Sequence, residues 1–353
     1  MTDIQFHDTD RPAALHTHEG LMRYLTSKTV RPATLDAAAF AALTAQDRDT
    51  YNRERMLYLS GGMLIGTPQL QHARVAVGRL ISANSGRNSG HHGIMFSGQS
   101  GLGKTTLCKA LMKAVFNSYR AQFPFYAESH RVPVVYVEVP SGSTPKLLMA
   151  AFARFFGLTL ARTETMDSIQ HRVVSALNDA NTQLVVVDEV QNLGAVNRGN
   201  GETIDVLKSL HNQVGATFIY AGMNLRELPL FDGARGQSLM ARFSITQMTK
   251  FNASDPSHRK DWRGIVQQFE RNLPLADHKA GTLVPWSEHL FELSRGSIGT
   301  LGTLIAGAAM DLIRDPDGRP EAITLKLLDA QELDIFATES FARSLTSKGR
   351  KAA

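Results

Sequence analysis

The chain runs to 353 residues, 43% apolar and 20% charged, a balance that supports a substantial core and excludes a chain too polar to fold. The formal net charge of +5 permits contact with nucleic acid without establishing it. The single cysteine, Cys108, excludes an intrachain disulfide and fits a reduced, cytoplasmic setting. Residues 1–12 carry acids and no apolar core, so they do not read as a signal peptide. No stretch approaches the roughly 18 apolar residues of a bilayer-spanning helix, and no membrane partner is expected.

In chain order, residues 1–60 are mixed and read as an N-terminal extension, with a short helix over 37–43. Thr67 is placed to cap a helix whose first position is Pro68, and Leu70, Ala73, Val77, Leu80 and Ile81 follow at helical spacing. The Ser/Asn/Gly-rich run 83–93 reads as a loop. Strands and helices then alternate: strand 94–97, helix 104–116, strand 132–139, helices 145–156 and 168–178, strand 184–187, helix 204–211, strand 217–221 and a fifth strand over 244–248. Asp167 and Gln170 have capping-box spacing, although Ser or Thr is usual at the cap. Alternation of this kind predicts an α/β fold, a mostly parallel sheet with helices on both faces. Beyond Asp255 only helical patterns remain, over 259–271, 286–294, 298–313 and 330–342. The predicted division is an extension over 1–60, an α/β domain over 61–252, a small helical domain over 253–342 and a basic disordered tail over 343–353, which carries Arg343, Lys348, Arg350 and Lys351 and no acid.

The chemistry lies in four places. Gly98-Gln99-Ser100-Gly101-Leu102-Gly103-Lys104-Thr105 matches G-x-x-x-x-G-K-[ST] between a strand and a helix, the context of a phosphate-binding P-loop. Glycines let the backbone N–H groups curl toward phosphates, and the helix N-terminus adds positive potential. Lys104 is placed for the β- and γ-phosphates and Thr105 for Mg²⁺, with Thr106 completing the nucleotide-binding positions; the implied ligands are ATP and Mg²⁺. Downstream, Leu184-Val185-Val186-Val187 delivers Asp188 and Glu189 to the carboxyl end of a buried strand. Asp188 would hold the Mg²⁺ shell and Glu189 would polarise the attacking water. A strand ending in two solvated acids is the plainer alternative, against which the upstream P-loop argues. The strand over 217–221 leads to Asn224, which either orients the water near the γ-phosphate or caps the next helix. Arg242, ahead of Phe243, is either an arginine finger acting in trans on a neighbour's ATP or a surface arginine, with Arg235 its nearest rival.

This layout resembles the AAA+ ATPases: P-loop, Asp-Glu strand end, polar strand end, Arg-Phe and a helical lid. Within them it is similar to the TniB/TnsC group of transposition regulators, which share a role with MuB. Gly66-Thr67-Pro68 before the P-loop, Asp188-Glu189-Val190-Gln191-Asn192-Leu193, Ala221-Gly222-Met223-Asn224, Gly296-Ser297-Ile298-Gly299-Thr300-Leu301 and Ala306-Gly307-Ala308-Ala309 carry the resemblance, which spans residues 55–335. It departs at the lid, where an arginine facing the γ-phosphate is expected near Gly299 and Arg295 lies just before it, and no N-terminal helix-turn-helix is evident.

The resemblance implies an ATP-bound homo-oligomer, a ring or helical filament, on duplex DNA without sequence preference. It implies recruitment of a transposase and, in some systems, a target-selector protein, with disassembly on hydrolysis. It also places DNA contact at loop 140–146, through Thr144 and Lys146, where a helix-start turn is the local reading. A replication loader or initiator of the AAA+ class is the first alternative. A STAND-type signalling ATPase that does not bind DNA, and that would be expected to carry long repeat arrays, is the second. His91-His92 reads as loop without metal-ligand spacing, Cys108 as core packing, and the basic tail as either solvated or a contact for DNA or transposase.

Overall fold

The computed structural model describes residues 14–61, 63–193, 200–315 and 320–331. In order these form α1 (His18–Thr26), α2 (Ala37–Ala42), α3 (Ala45–Gly61), α4 (Pro68–Asn84), β1 (Gly93–Ser97), α5 (Lys104–Gln122), β2 (Val134–Glu138), α6 (Pro145–Phe155), α7 (Met166–Asp179), β3 (Leu184–Asp188), α8 (Asn200–Gln213), β4 (Thr217–Gly222), α9 (Gly233–Met240), β5 (Phe243–Gln247), α10 (Pro256–Arg271), α11 (Ser287–Ser294), α12 (Ile298–Ile313) and α13 (Leu325–Asp329). Contacts divide them into two compact units, Thr9–Ser27 with Gln69–Thr249, and Lys28–Pro68 with the chain from Lys250.

The first unit is built on a five-stranded parallel sheet in the order β2-β3-β4-β1-β5, which bears out the predicted α/β class. β1, β3 and β4 are buried along their whole length, as strands covered on both faces must be. Edge strand β5 is buried only at its first residue. The register aligns Ser97 with Gly222 and Gln247, and Glu138 with Asp188, so every strand finishes at the same end of the sheet. Because β4 lies between β1 and β3, the turn after β4 sits between the P-loop and the acids of β3. α5 buries Leu107, Cys108, Leu111, Met112 and Phe116 against the sheet core, a three-to-four-residue spacing that is one helical face.

The structure differs from the sequence reading in several elements. α5 runs on to Gln122 and buries Tyr119, and α4 extends through Asn84 into the predicted loop. The start of α7 is set by Thr165 and not by Asp167: Thr165 is extended and its hydroxyl accepts the Ser168 N–H at 3.3 Å. Asp167 lies instead in the first turn, where its charge opposes the helix dipole favourably. Helices α1 and α3 were not predicted. Of the helix expected over 330–342, Ala330 caps α13 and Gln331 is non-helical; the rest, with the basic tail, lies outside the described residues.

The second unit has a core of its own, in which Met56, Leu59 and Ile65 join Trp262, Ile265, Val266, Phe269, Leu290, Leu301 and Ile305. Its most costly element is Arg55, 1% exposed. Arg55 donates to both Glu321 carboxylate oxygens at 2.6 and 2.9 Å, to the Pro274 carbonyl at 3.1 Å and to Asn52 Oδ1 at 2.5 Å, and lies 4.5 Å over the Tyr51 ring. Both terminal nitrogens are thus paired, as a buried guanidinium requires, while Nε has no hydrogen-bond partner among the described residues. Among the described residues no single helix is long and apolar enough to cross a membrane.

Candidate nucleotide site

The loop from Gly98 to Gly103 joins β1 to the first turn of α5. Gly101 and Gly103 have φ of +77° and +81°, which a Cβ would strain. Gly103 is the N-cap of α5 and supplies no side-chain acceptor, so the first-turn N–H groups keep their capacity for an external anion. Gly98 is held by its N–H to the Gly222 carbonyl at 3.1 Å, while Gln99, Ser100 and Gly101 are exposed and Leu102 is half-buried. Lys104, 6% exposed, donates to the Gly98 and Gln99 carbonyls at 2.7 and 2.8 Å. Burial lowers its pKa, against the opposing pull of Glu189 and Asp188. Thr105 is half-buried and Thr106 exposed.

Asp188 is 1% exposed and surrounded by donors. Its Oδ2 accepts the Thr105 hydroxyl at 2.8 Å and the Tyr136 hydroxyl at 3.2 Å, and its Oδ1 accepts the Glu189 N–H at 2.9 Å. Burial first, then the charge of Asp188, pushes the Tyr136 phenol far above its usual value, so it stays a donor. Tyr136 was not singled out in the sequence, although the strand pattern over 132–139 carries it. The Thr105 hydroxyl and Asp188 carboxylate fit Mg²⁺, a hard cation that takes one or two protein oxygens and fills its shell with water and substrate phosphate. Among the described residues no cluster of three His, Cys, Asp or Glu forms a separate metal site.

Glu189 and Asn224 end β3 and β4 in the same way, as non-glycine residues in the left-handed region, φ 58° and 46°. That conformation costs about 1–2 kcal/mol in general, and it collects where function over-determines the backbone. Gln191, in the 3₁₀ turn Val190–Asn192, hydrogen-bonds Glu189 Oε2 through its amide nitrogen and accepts the Met223 N–H at 2.9 Å through its amide oxygen. Asn224 is exposed, and the Leu225 N–H after it donates to Ser97 Oγ at 3.0 Å, tying the β4 turn to the end of β1.

Arg242 lies at the other end of the sheet. Its carbonyl accepts the Gly93 N–H at 3.0 Å, at the start of β1, so the whole of β1, about 16 Å at strand rise, separates it from its own P-loop. Its guanidinium donates to Asn212 Oδ1 at 2.6 Å. Arg235 on α9 pairs with Asp205 at 2.9 Å, both exposed. The structure thus brings together the P-loop, Asp188, Glu189 and Asn224, and sets both arginines apart. Thr144 caps α6, its hydroxyl accepting the Leu147 N–H at 3.3 Å, and Lys146 donates to the Glu164 carbonyl at 2.6 Å. Loop 140–144 is itself held to the chain after β3, by the Ser143 N–H to the Asn192 carbonyl at 3.2 Å. His91 is buried, its ring nitrogens 3.0 and 3.1 Å from the His211 and Arg87 carbonyls. Cys108 is fully buried, and burial raises its thiol pKa well above the usual value, as suits a packing residue.

Residues 87–229 match the family described as AAA domain. Over that segment the chain is similar to AAA domains. The matched segment contains the P-loop, Asp188, Glu189 and Asn224. No curated protein sequence matches the chain. Among solved structures, the Aeropyrum pernix ORC1 protein in complex with DNA aligns at 14% identity and a TM-score of 0.51, over 85% of this chain and 72% of that one. Cdc6p from Pyrobaculum aerophilum aligns at 13% identity and a TM-score of 0.50, over 73% of this chain and 65% of that one. At such identity the AAA domain and these structures share a fold.

Proposed function

We propose that this protein is a Mg²⁺-dependent ATPase whose ATP-bound state assembles with further copies of itself on duplex DNA. The observation that carries the nucleotide reading is the convergence of Lys104, Thr105, Asp188 and Glu189 at one end of the sheet, with α5 presenting an uncapped N-terminus. Lys104 would exchange its loop carbonyls for the β- and γ-phosphate oxygens of ATP. Thr105 and Asp188 would hold Mg²⁺, which when bound neutralises charge on those phosphates. Glu189 accepts a proton from the attacking water and Asn224 orients it. Arg242, out of reach of its own P-loop, is the group available to a neighbour's γ-phosphate, and Arg235 is the second candidate. We take residues 61–252 as the ATPase domain, and Thr144 and Lys146 as contacts to the phosphate backbone.

Two biological roles are compatible with this chemistry. The likeness to ORC1, described in complex with DNA, and to Cdc6p supports a replication loader or initiator. The resemblance of 188–193, 221–224 and 296–309 to the TniB/TnsC group supports a transposition regulator that recruits a transposase and a target selector, and it is the only support for those partners. A signalling ATPase that ignores DNA is the competing class. Lys104→Ala, measured by calorimetry at unchanged fold, is expected to lose ATP binding, and Glu189→Gln to bind ATP while hydrolysing it at least 100-fold more slowly. Near-parental affinity and turnover in Lys104→Ala would remove the site assignment.

A further inference from the structure

Gln191 is joined to two groups of opposite hydrogen-bonding character, and these determine which way its amide points. The Met223 N–H can only donate, so it meets the amide oxygen; the Glu189 carboxylate can only accept, so it meets the amide nitrogen. A single half-buried side chain thus spans from the acid after β3 to the backbone at the end of β4. No other residue type of this length offers a donor and an acceptor in that order except an amide.

The surroundings are shaped to this side chain. A Cβ on Gly222 would lie 2.5 Å from Gln191 Oε1 and 2.8 Å from Leu225 Cδ2, so a side chain there would displace the Gln191 amide from this position. Val190 and Leu225, the residues flanking the two turns, are both 0% exposed, so the turn bearing Gln191 and the turn bearing Asn224 are each anchored in the core. Lys104 lies within electrostatic reach of both Glu189 and Asp188; Gln191 is a neutral side chain hydrogen-bonded to Glu189.

We propose that Gln191 is the positioning residue for Glu189: its amide ties the carboxylate to the carboxyl end of β4, so that the base and the Met223–Asn224 turn keep one spacing. The inference rests on the reading of Glu189 as the group that takes the water's proton. It makes Gln191 a determinant of turnover that acts through Glu189. It also joins the two strand ends that face the γ-phosphate, so a shift of the Asn224 turn is carried to the base.

The test uses the full chain with Gln191→Glu, Gln191→Ala, Glu189→Gln and the double variant Glu189→Gln/Gln191→Glu. Gln191→Glu keeps the acceptor for the Met223 N–H and replaces the donor facing Glu189 with a carboxylate. It is expected to lower kcat about 10- to 100-fold, the range by which misplacement of a catalytic group acts, with KM for ATP, ATP affinity and melting temperature near the parent. Gln191→Ala should show the same kcat-against-KM split. In the Glu189→Gln background, adding Gln191→Glu should change turnover no further, because nothing remains to be positioned. Parental kcat in Gln191→Glu, with turnover lost in Glu189→Gln, overturns the proposal alone. Equal loss of affinity, melting temperature and kcat in both Gln191 variants makes the residue structural and also overturns it. Parental turnover in Glu189→Gln removes the base, and the proposal with it, and marks failure of the underlying reading.

Discussion

Arg55 shows how a single side chain can carry a whole unit. Its charge is buried at 1% exposure and is compensated by Glu321, Pro274, Asn52 and the Tyr51 ring. Removing one member of a buried pair strands the other, a general cost of about 3–5 kcal/mol. Arg55→Ala is expected to lower the stability of the helical unit by that order in chemical denaturation, and Glu321→Gln, which leaves the buried Arg55 charge without its carboxylate and sets an amide N–H against one of its donors, should also destabilise it. Equal stability of Arg55→Ala and parent would contradict this account. At this scale the sequence showed the P-loop, Asp188 and Glu189 plainly, because their spacing is local. It did not show Arg55 as a core residue, since its partners lie 219 and 266 positions away, nor Tyr136 as a neighbour of Asp188 or Gln191 as a bridge to Met223, since those contacts form only after the sheet is assembled.

Among elements, the carboxyl-terminal end of α8 is the place where pH should act. His211 is 0% exposed and lies among Phe218, Tyr220 and Phe243 at ring distances of 4.4, 5.9 and 4.6 Å. Among the described residues neither ring nitrogen has a hydrogen-bond partner. Burial, and then the nearby Arg242 charge, push its pKa from the ordinary 6.5 down to about 3. The folded chain therefore keeps His211 neutral while the unfolded chain takes up a proton below pH 6.5. Stability is intact above pH 6.5 and falls as pH drops from there toward about 3, with a slope of about 1.4 kcal/mol per pH unit for this one group. His211→Phe, which leaves the backbone carbonyl bonded to His91 in place, should flatten that slope. The measurement is denaturation at pH 7, 6, 5 and 4, and parallel curves for variant and parent would contradict the assignment. Element boundaries were legible wherever apolar periodicity was strong, as in β3, β4 and α12. They failed at α1 and α3, where polar residues dominate and the apolar face is short, and at α7, where the hydroxyl of Thr165 outcompetes Asp167 for the cap.

For the whole molecule, the sheet order sets Arg242 at the opposite end of the sheet from the residues of the proposed nucleotide site. The P-loop, Asp188, Glu189 and Asn224 lie at the strand carboxyl ends, and Arg242 lies at the amino ends. The alternating pattern made the α/β class legible from sequence. The insertion of β4 between β1 and β3 was not, because strand order is a property of long-range pairing. One subunit with a net charge of +5 has few phosphate contacts to offer, while a row of subunits multiplies them. Arg242→Ala is therefore expected to impair assembly or hydrolysis while leaving the ATP affinity of the single subunit intact. Lys146→Ala should weaken DNA binding and reduce its salt dependence without changing ATP affinity. The most direct measurement is fluorescence anisotropy of labelled duplex DNA titrated with the protein in ATP, in ADP and without nucleotide, at several salt concentrations. The account predicts tight, cooperative, sequence-independent binding with ATP alone, weakening steeply as salt rises; identical, non-cooperative binding in all three nucleotide conditions would contradict it.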